Sequence, residues 1–385
     1  MKVFLIAGEA SGDMLGASLM VGLKSLADVE FSGVGGIQMQ REGLESLFPI
    51  DELSLIGIVE ILPKYFHLSR RIRETANAVL KARPDVLITI DSPDFCLRVA
   101  KIVKRKTGIR TVHYVAPSVW AWRPKRAQRM AAAIDHVLAL LPFEVPYMEA
   151  AGMECDFVGH PVASGRQATC GEISDFRKRH NIGNSPVLMV LPGSRKAELA
   201  RLGPIFGESV KQVLARYSDL RLVLPTPSSR LTQLRELASD WPGNPVIISS
   251  DNGESNQGQR EKAAAFGAAN WALAASGTVS LELAAAEVPM VIAYDVAWLS
   301  RAIISKMIKI DTLTLVNLVS ETRAIPECNG RKCKPRYIVP KLMEVMESSG
   351  DQIGAMRATM QRLGRDGEDS GLRAARAVIS RLERR

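Results

Sequence analysis

This sequence of 385 residues is short of cysteine pairs, aromatic side chains and long apolar runs, and each shortage excludes a class of protein. Its five cysteines are scattered and form no Cys-x-x-Cys pair, which argues against a disulfide framework or a zinc knuckle and fits a reducing cytoplasm. The apolar run that opens the chain is too short for a signal peptide, and no other run is long enough to cross a bilayer. We therefore expect a cytoplasmic protein that meets a membrane, if it does so, from one side only.

Acidic residues are absent from residues 101–130, which hold nine lysines and arginines. The whole chain has 50 basic and 41 acidic residues, a formal net charge of +9, so this block alone equals the excess. Such a block is either a solvated face or a surface for nucleic acid, lipid headgroups or a phosphorylated metabolite. The sequence has no recognition helix, zinc finger or aromatic RNA-binding motif, and we therefore expect no nucleic-acid partner.

Short aliphatic runs alternate with amphipathic helical patterns along most of the chain. The spacing predicts buried parallel strands at residues 3–7, 86–90, 111–115 and 137–141, and then at residues 187–191, 221–224, 245–249, 271–274 and 290–294. A polar stretch at residues 163–169 separates the two sets. We therefore predict an α/β protein with two doubly wound, Rossmann-like domains, residues 1–165 and 166–354, facing each other across a cleft at the carboxyl ends of their strands.

Polar residues follow the first two predicted strands. The loop GEASGD leads from the first strand into a helix, which is typical of an anion-binding loop and equally of a tight turn with Ser11 or Asp13 as the helix cap. Glu9 has no evident structural task there, which favours a functional loop. Asp91 follows a wholly apolar strand, where partial desolvation suits a general base, and a structural turn is an equal alternative. We expect Asp94 to cap the next helix.

Trp120 and Trp122 lie immediately before Arg123, just after the strand predicted at residues 111–115. Bulky aromatic rings fill the core of many proteins. Flat apolar rings beside cations also suit a sugar, an acyl chain or a phosphate. The residues alone leave both interpretations open.

Two loops of small residues occur in the second half, each after a predicted strand. Their residues are Gly193, Ser194 and Arg195 in the first, and Ser276, Gly277, Thr278 and, one helical turn later, Glu282 in the second. Backbone N–H groups, hydroxyls and an arginine suit a diphosphate, and a carboxylate suits the two hydroxyls of a ribose. Together the loops indicate a nucleoside-diphosphate site.

Seven strings along the chain resemble the lipid A disaccharide synthase family. They are residues 7–13 (AGEASGD), 91–95 (DSPDF), 113–123 (HYVAPSVWAWR), 141–144 (LPFE), 157–160 (FVGH), 191–195 (LPGSR) and 275–278 (ASGT). The strings occur in the family's order, and few other families share even two of them.

The resemblance implies a GT-B glycosyltransferase that inverts the anomeric centre and uses neither a metal nor a cofactor. Its reaction would join UDP-2,3-diacylglucosamine to 2,3-diacylglucosamine 1-phosphate (lipid X) through a β-1,6 bond, giving lipid A disaccharide 1-phosphate and UDP. The resemblance also implies peripheral attachment to the cytoplasmic face of the inner membrane. It further implies a C-terminal helix, residues 355–385, that returns to the first domain, and a homodimer with exchanged C-terminal domains.

The resemblance also assigns roles to particular residues. Asp91 matches the family's proposed catalytic base, with Glu9 as the alternative, and Arg195 would offset the charge that grows on the departing phosphate. Glu282 would hold the ribose, and Asn317 matches a polar position in the donor site. The residues expected to bind the lipid acceptor are Ser11, Gly12, His113, Ser118, Trp120, Trp122 and Arg123.

Two further segments bear on this assignment, one as a departure from the family pattern and one as support for it. The family's glutamine near the end of the nucleotide domain is replaced here by Gly330, with Asn329 as the neighbouring candidate for its donor contact. Residues 56–66 are rich in apolar side chains and are followed by Arg70, Arg71 and Arg73, which favours a cationic, apolar surface for acyl chains or a membrane over ordinary core.

Two other functions remain open at this point. Another UDP-sugar protein of the same fold, an N-acetylglucosaminyltransferase or an epimerase, would share the 276–278 turn and Glu282 but not the tryptophan segment before Arg123. A basic nucleic-acid-binding protein would bind oligonucleotides in a salt-sensitive way and would ignore UDP.

Overall fold

The structure, a computed structural model, describes residues 1–54, 61–119, 125–250, 256–295 and 311–383. The chain divides into two compact units. Unit 1 comprises Met1–Ser164 and Leu363–Arg385, and unit 2 comprises Gly165–Arg362. Residues 355–362, which we expected in the helix that returns to the first domain, therefore belong to unit 2.

Unit 1 is built on a parallel sheet. Its strands are β1 (Lys2–Ala7), β2 (Glu30–Val34), β3 (Glu45–Ser46), β4 (Val86–Ile90), β5 (Arg110–Tyr114), β6 (His136–Ala139) and β7 (Glu154–Phe157). They lie in the order β3-β2-β1-β4-β5-β6-β7, so the direction of winding reverses between β1 and β4. The central strands β1, β4, β5 and β6 are almost wholly buried because helices cover both faces of the sheet.

The helices of unit 1 form one layer on each side of that sheet. Those that precede unit 2 are α1 (Ala10–Leu26), α2 (Ile37–Arg41), α3 (Asp51–Ser54), α4 (Ile61–Ala82), α5 (Pro93–Lys106), α6 (Lys125–Ala131) and α7 (Val145–Glu149). Alternate residues of β1 enter different cores, since side chains alternate along a strand. Phe4 and Ile6 pack with α4 and α5, whereas Val3 and Leu5 pack with α1.

Unit 2 repeats the architecture. Its strands are β8 (Val187–Leu191), β9 (Arg221–Thr226), β10 (Val246–Ser249), β11 (Trp271–Ala274), β12 (Met290–Tyr294) and β13 (Glu327–Asn329). Its helices are α8 (Cys170–Arg179), α9 (Lys196–Leu214), α10 (Leu231–Ala238), α11 (Asn256–Ala268), α12 (Val279–Ala285), α13 (Leu315–Ser320), α14 (Pro335–Glu347) and α15 (Gly350–Arg362). The strand order is β10-β9-β8-β11-β12-β13, with all pairs parallel, and the winding reverses between β8 and β11.

The last helix, α16 (Ser370–Glu383), belongs to unit 1 and packs on α1. At its far end the Arg381 guanidinium donates two hydrogen bonds of 3.1 Å to the Asp156 carboxylate on β7. The buried His136 ring lies 2.9 Å from the same carboxylate. The hydrogen bond with His136, followed by that from Arg381, holds the pKa of Asp156 well below its usual range.

The nine predicted strands are all present, four with the predicted bounds and five with ends shifted by one or two residues. The sequence patterns missed β2, β3, β7 and β13, which lie at or next to the sheet edges. Edge strands are covered on fewer sides, and these four are only partly buried, so their sequences carry no continuous apolar run. No helix within the described ranges is long and apolar enough to span a bilayer.

Candidate functional site

The first candidate site lies where the winding of the unit 1 sheet reverses. Ala7, the last residue of β1, is in register with Ile90, the last residue of β4. Glu9 and Asp91 therefore follow neighbouring strands at one edge of the sheet. Ligands of doubly wound sheets bind at such a point, because the chains that leave the two strands turn to opposite faces and open a crevice between them.

Asp91 is held by its backbone, while its carboxylate stays available. The Asp91 N–H donates to the carbonyl of Tyr114 on β5 at 3.0 Å, and the residue is partly buried. Its carboxylate forms no hydrogen bond or ion pair with another described residue. A carboxylate that is fixed at a sheet edge without a partner of its own can accept a proton from a substrate.

The backbone around Asp91 is strained. Asp91 (φ 52°) and Ser92 (φ 41°) are left-handed in succession, and Val115, directly after β5, has a φ of 82°. Left-handed backbone is unfavourable for residues with a Cβ, most of all for a β-branched one. Strain of this kind persists where the surrounding structure enforces it, and it clusters at functional sites.

The expected helix caps near these carboxylates are wrong. The helix α1 begins one residue after Glu9, so Ser11 and Asp13 lie inside its first turn. Asp13 instead accepts hydrogen bonds of 2.8 to 3.0 Å from three backbone N–H groups at the start of α2. Asp94 likewise lies inside α5 and not at its cap. Glu9 and Ser11 are exposed.

Two of the residues expected to contact the lipid acceptor are buried. His113 is 1% exposed, and its Nδ1 lies 2.7 Å from Thr89 Oγ1, which also donates to a backbone carbonyl of β5. Burial, with a smaller effect of Arg126, lowers the pKa of His113 to about 4, so the ring is neutral at physiological pH. Gly12 packs against the ends of β1 and β4. The expectation of direct contact is therefore corrected: His113 braces β4 against β5, and Gly12 is a packing position.

Of the remaining expected acceptor residues, the structure describes only Ser118. Ser118 is exposed at the end of a described segment. Trp120, Trp122 and Arg123 lie outside the described residues, as do most side chains of residues 56–66.

The basic block at residues 101–130 is not a uniform cationic surface. Lys104 pairs with Asp135, and Arg110, which is 5% exposed, pairs with Glu154. These acidic partners follow the block in the sequence, and the pairing of the strands brings them next to its basic residues.

The second candidate site lies at the corresponding reversal in unit 2. Leu191 at the end of β8 is in register with Ala274 at the end of β11, so the 193–195 and 276–278 turns share one edge of the sheet. Arg195 is the N-cap of α9, a helix of 19 residues, and its side chain is 81% exposed. The N terminus of a long helix carries partial positive charge and favours phosphate groups.

A carboxylate already occupies the 193–195 turn. Glu198 accepts hydrogen bonds from the N–H groups of Ser194 (3.1 Å) and Arg195 (3.3 Å), and its other oxygen lies 3.0 Å from the Arg195 guanidinium. Gly193 has a φ of 114°, and an added Cβ there would lie 2.6 Å from the Cβ of Glu198. The expectation that these two N–H groups are available to a diphosphate is therefore wrong in this structure.

Glu198 also connects the turn to the neighbouring part of the sheet. The hydroxyl of Tyr294, at the end of β12, donates to Glu198 at 3.4 Å. Burial, followed by the charge of Glu198, raises the pKa of Tyr294. One carboxylate thus joins β8, α9 and β12 at the edge where the candidate donor site lies.

The 276–278 turn opens the helix α12 as predicted. Gly277 and Thr278 are exposed, and the Ser276 hydroxyl donates to the carbonyl of Leu313 at 3.4 Å. Glu282 lies in the first turn of α12 and pairs with Lys262 of α11 at 2.9 Å. The carboxylate expected to bind a ribose therefore has a cationic partner of its own.

Asn317 is buried within unit 2. The residue is 1% exposed, and its amide nitrogen donates to the carbonyl of Ile325 at 2.9 Å and to the hydroxyl of Thr312 at 3.3 Å. Its amide oxygen accepts from the N–H of Ile325 at 3.0 Å. The expected donor contact is therefore corrected: Asn317 fixes the loop that leads into β13.

Glu327 organises the segment where the family glutamine is replaced. It accepts hydrogen bonds from the N–H groups of Leu313 (3.1 Å) and Thr314 (2.8 Å) and from the side-chain amide of Asn329 (2.7 Å). The side chain of Asn329 is thus directed to Glu327. Gly330 follows with a φ of 59°, a conformation that suits glycine.

Sequence reasoning missed Glu198, Lys262 and Glu327. The spacing of Arg195 and Glu198 is that of a capping box, so a search for helix starts would have found this pair. Lys262 and Glu327 gave no local signal, because the Glu282 partner of Lys262 and the backbone N–H groups that donate to Glu327 lie 13 or more residues away. Among the described residues, no group of three or more His, Cys, Asp or Glu side chains is arranged to hold a metal ion.

Comparison with known proteins decides the family. The model of the lipid-A-disaccharide synthetase family (LpxB) matches residues 3–379. The chain belongs to the lipid-A-disaccharide synthase family. A lipid-A-disaccharide synthase of Ruegeria pomeroyi is 58% identical over 383 residues, which are 99% of this chain and 96% of that protein. One of Rhodospirillum centenum is 43% identical over 392 residues, covering 100% and 95%.

Solved structures share the fold at low sequence identity. The UDP-GlcNAc 2-epimerase from Neisseria meningitidis aligns with a TM-score of 0.67 and 10% identity over all of both chains. MurG from Acinetobacter baumannii aligns with a TM-score of 0.53 and 13% identity over 100% of this chain and 99% of its own. These similarities bear on the fold alone, and they confirm the predicted GT-B architecture of two doubly wound α/β domains.

Family membership confirms the resemblance found in the sequence motifs. The chain is a UDP-sugar-dependent glycosyltransferase of lipid A biosynthesis. This result decides against the epimerase, the N-acetylglucosaminyltransferase and the nucleic-acid-binding protein that the sequence had left open.

Proposed function

We propose that this lipid-A-disaccharide synthase family member transfers 2,3-diacylglucosamine from its UDP derivative to the 6-hydroxyl of 2,3-diacylglucosamine 1-phosphate, with inversion at the anomeric carbon. The products are lipid A disaccharide 1-phosphate and UDP. The observation that carries the proposal is the position of Asp91, which lies at the winding reversal of its sheet with a carboxylate that no described residue binds.

Asp91 acts as the general base in this proposal. Its carboxylate takes the proton of the 6-hydroxyl while that oxygen attacks the anomeric carbon, and the bond from this carbon to the phosphate oxygen of UDP breaks. Attack from the face opposite the departing UDP inverts the configuration. Glu9 lies at the same edge but is exposed as the N-cap residue of α1, whereas Asp91 is partly buried. We assign the base to Asp91 because its backbone is held at the sheet edge and no described residue binds its carboxylate.

Unit 2 stabilises the leaving group. The departing UDP gains negative charge, which the Arg195 guanidinium and the hydroxyls of Ser194 and Thr278 offset. Glu282 binds the ribose hydroxyls, with Lys262 holding its carboxylate in place. These roles match the exposure of Arg195 and Thr278 at the carboxyl edge of the sheet.

A surface on α4 suits the acyl chains and a membrane. Phe66 is 70% exposed and lies with Arg70 and Arg73 around a depression of about 570 Å³. Arg71 belongs to a different environment, because it pairs with Glu52 at 2.7 Å, so the expected set of three membrane-facing arginines is reduced to two. Each cation near an anionic bilayer contributes about 1 kcal/mol, which suits reversible attachment to the cytoplasmic face of the inner membrane.

The test of the base compares Asp91→Asn with Asp94→Asn, a matched change at an exposed carboxylate in the first turn of α5. Loss of a general base typically slows a reaction by about 10² to 10⁴-fold. We expect Asp91→Asn to lose transfer by at least about 10²-fold while UDP affinity, measured by calorimetry, stays unchanged, and Asp94→Asn to retain transfer. An Asp91→Asn enzyme with nearly normal turnover would contradict the proposal and direct attention to Glu9.

The test of the donor compares UDP-2,3-diacylglucosamine with its deacylated form. The proposal expects efficient turnover of the acylated donor only, because the acyl chains supply apolar binding energy. Comparable turnover of the deacylated donor would contradict it.

The homodimer with exchanged C-terminal domains is part of the same proposal, and size-exclusion chromatography with light scattering tests it.

A further inference from the structure

The turns that follow β1 and β4 are in direct contact. A Cβ added to Gly8 would lie 2.3 Å from the Cβ of Ser92 and 2.2 Å from its Oγ. Atoms of this kind do not approach so closely, so only a residue without a Cβ fits at position 8. The backbone conformation of Gly8 is not the cause, because its φ is outside the left-handed region that favours glycine.

Ser92 has little freedom to move away. Its Cβ is bonded directly to a backbone that is anchored on both sides. The Ser92 carbonyl accepts hydrogen bonds from the N–H groups of Phe95 (3.1 Å) and Cys96 (3.0 Å) at the start of α5. On the other side, the Asp91 N–H donates to Tyr114 on β5 at 3.0 Å. Both turn residues are left-handed, so these contacts hold them in a conformation that they would otherwise leave.

We propose that the close contact between Gly8 and Ser92 fixes the Asp91 carboxylate at the position that transfer requires, which makes Gly8 and Ser92 positioning residues. This inference rests on the proposed function, in which Asp91 is the base. A methyl group at position 8 reaches an ordinary contact of 3.4 Å with Ser92 only if the turn shifts by about 1 Å. A misplacement of about 1 Å can lower the rate of an enzyme by about 10²-fold.

The experiment uses the full chain, with UDP-2,3-diacylglucosamine and 2,3-diacylglucosamine 1-phosphate as substrates. We expect Gly8→Ala to lower kcat by about 10²-fold while the KM for the UDP donor and the affinity for UDP stay unchanged. Ser92→Gly removes the colliding atoms, and glycine suits the left-handed backbone there, so the double variant is expected to recover kcat to within a few-fold of the natural enzyme. Gly108→Ala is the matched control, since an added Cβ there has nothing within 4 Å.

A double-mutant cycle with Asp91→Asn shows whether the effect passes through the base. If it does, Gly8→Ala causes no further loss in an Asp91→Asn background, because the group that it misplaces is already removed. A structural defect elsewhere would instead lower kcat in both backgrounds by the same factor. Thermal denaturation of each variant confirms that the assays measure folded protein.

The outcomes separate this inference from the proposed function. Unchanged kcat in Gly8→Ala, or a loss that Ser92→Gly does not restore, overturns the role of the contact. An equal loss of kcat in both backgrounds overturns the inference that the contact acts through Asp91. A third outcome is that Asp91→Asn keeps full activity while Gly8→Ala loses activity and Ser92→Gly recovers it. This outcome overturns the assignment of the base and supports the contact between the two turns.

Discussion

Replacement of Glu198 tests how the edge of the unit 2 sheet is held together. In Glu198→Ala the N–H groups of Ser194 and Arg195 lose their acceptor, Tyr294 loses its hydrogen-bond partner and Arg195 loses its ion pair. We expect the variant to be less stable and to bind UDP more weakly, because the same carboxylate orients the arginine proposed to contact the diphosphate.

The size of the effect follows from the surroundings of each group. Loss of a helix-capping interaction costs about 1 kcal/mol, and a hydrogen bond to a charged group contributes about 1.5 to 3 kcal/mol. The side chain of Glu198 is only 16% exposed, whereas that of Arg195 is 81% exposed, so the ion pair between them adds little. Water reaches part of the released turn, which places the expected loss at about 2 kcal/mol. For a unit of this size, that loss lowers Tm by about 4 to 8 °C.

Calorimetric or circular-dichroism denaturation measures this change. Glu198→Gln keeps an acceptor oxygen and is expected to lose about half as much stability. Glu208→Ala, at an exposed position of the same helix, is the control and is expected to change the free energy of unfolding by less than about 0.5 kcal/mol. Equal melting temperatures of Glu198→Ala and Glu208→Ala would refute the reasoning.

Three further predictions concern other parts of the chain. Asp156→Asn is expected to lower the free energy of unfolding by about 1 to 2 kcal/mol at pH 7, because a carboxylate that is one-third exposed loses its charged contacts with His136 and Arg381. Since those contacts lower the pKa of Asp156, the stabilisation that they provide is complete above the ordinary pKa near 4 and is lost as the pH falls toward the lowered pKa. Urea denaturation should therefore show that the difference in unfolding free energy between the natural protein and Asp156→Asn shrinks in acid. A difference that stays constant with pH would contradict this account. Arg195→Ala is expected to weaken UDP binding and slow transfer, and an unchanged affinity for UDP in calorimetry would argue against its role. Phe66→Ser is expected to reduce sedimentation with vesicles that contain anionic lipid while leaving Tm unchanged, and equal sedimentation would remove α4 from the proposed membrane surface.

The central part of the fold could be read from the sequence because each central strand is buried on both faces. A strand such as β4, with the sequence VLITI, must be apolar throughout, and this run is visible without knowledge of its neighbours. The strand β2, next to an edge of its sheet, and the edge strand β13 meet a weaker requirement. Their sequences, EFSGV and ECN, mix exposed and buried positions, so no local pattern distinguishes them from loops.

The candidate site was predictable to the extent that position along the chain determines position at a sheet edge. Asp91 follows β4 directly and Arg195 lies in the turn after β8, and the carboxyl ends of parallel strands meet at one edge of each sheet. The environment of each side chain was not predictable in this way. His113 lies in a family motif and Asn317 matches a polar position of the family, yet both are buried and hydrogen-bonded to groups at least five positions away.

The order of apolar runs, turns and motif strings was sufficient to determine the α/β class, the central strands and the resemblance to one family, because these features depend on local composition. Tertiary structure alone decided which polar groups are available for chemistry. It paired Glu282 with Lys262 and brought Ser92 into contact with Gly8, since hydrogen bonds and steric contacts join residues that the chain itself keeps apart.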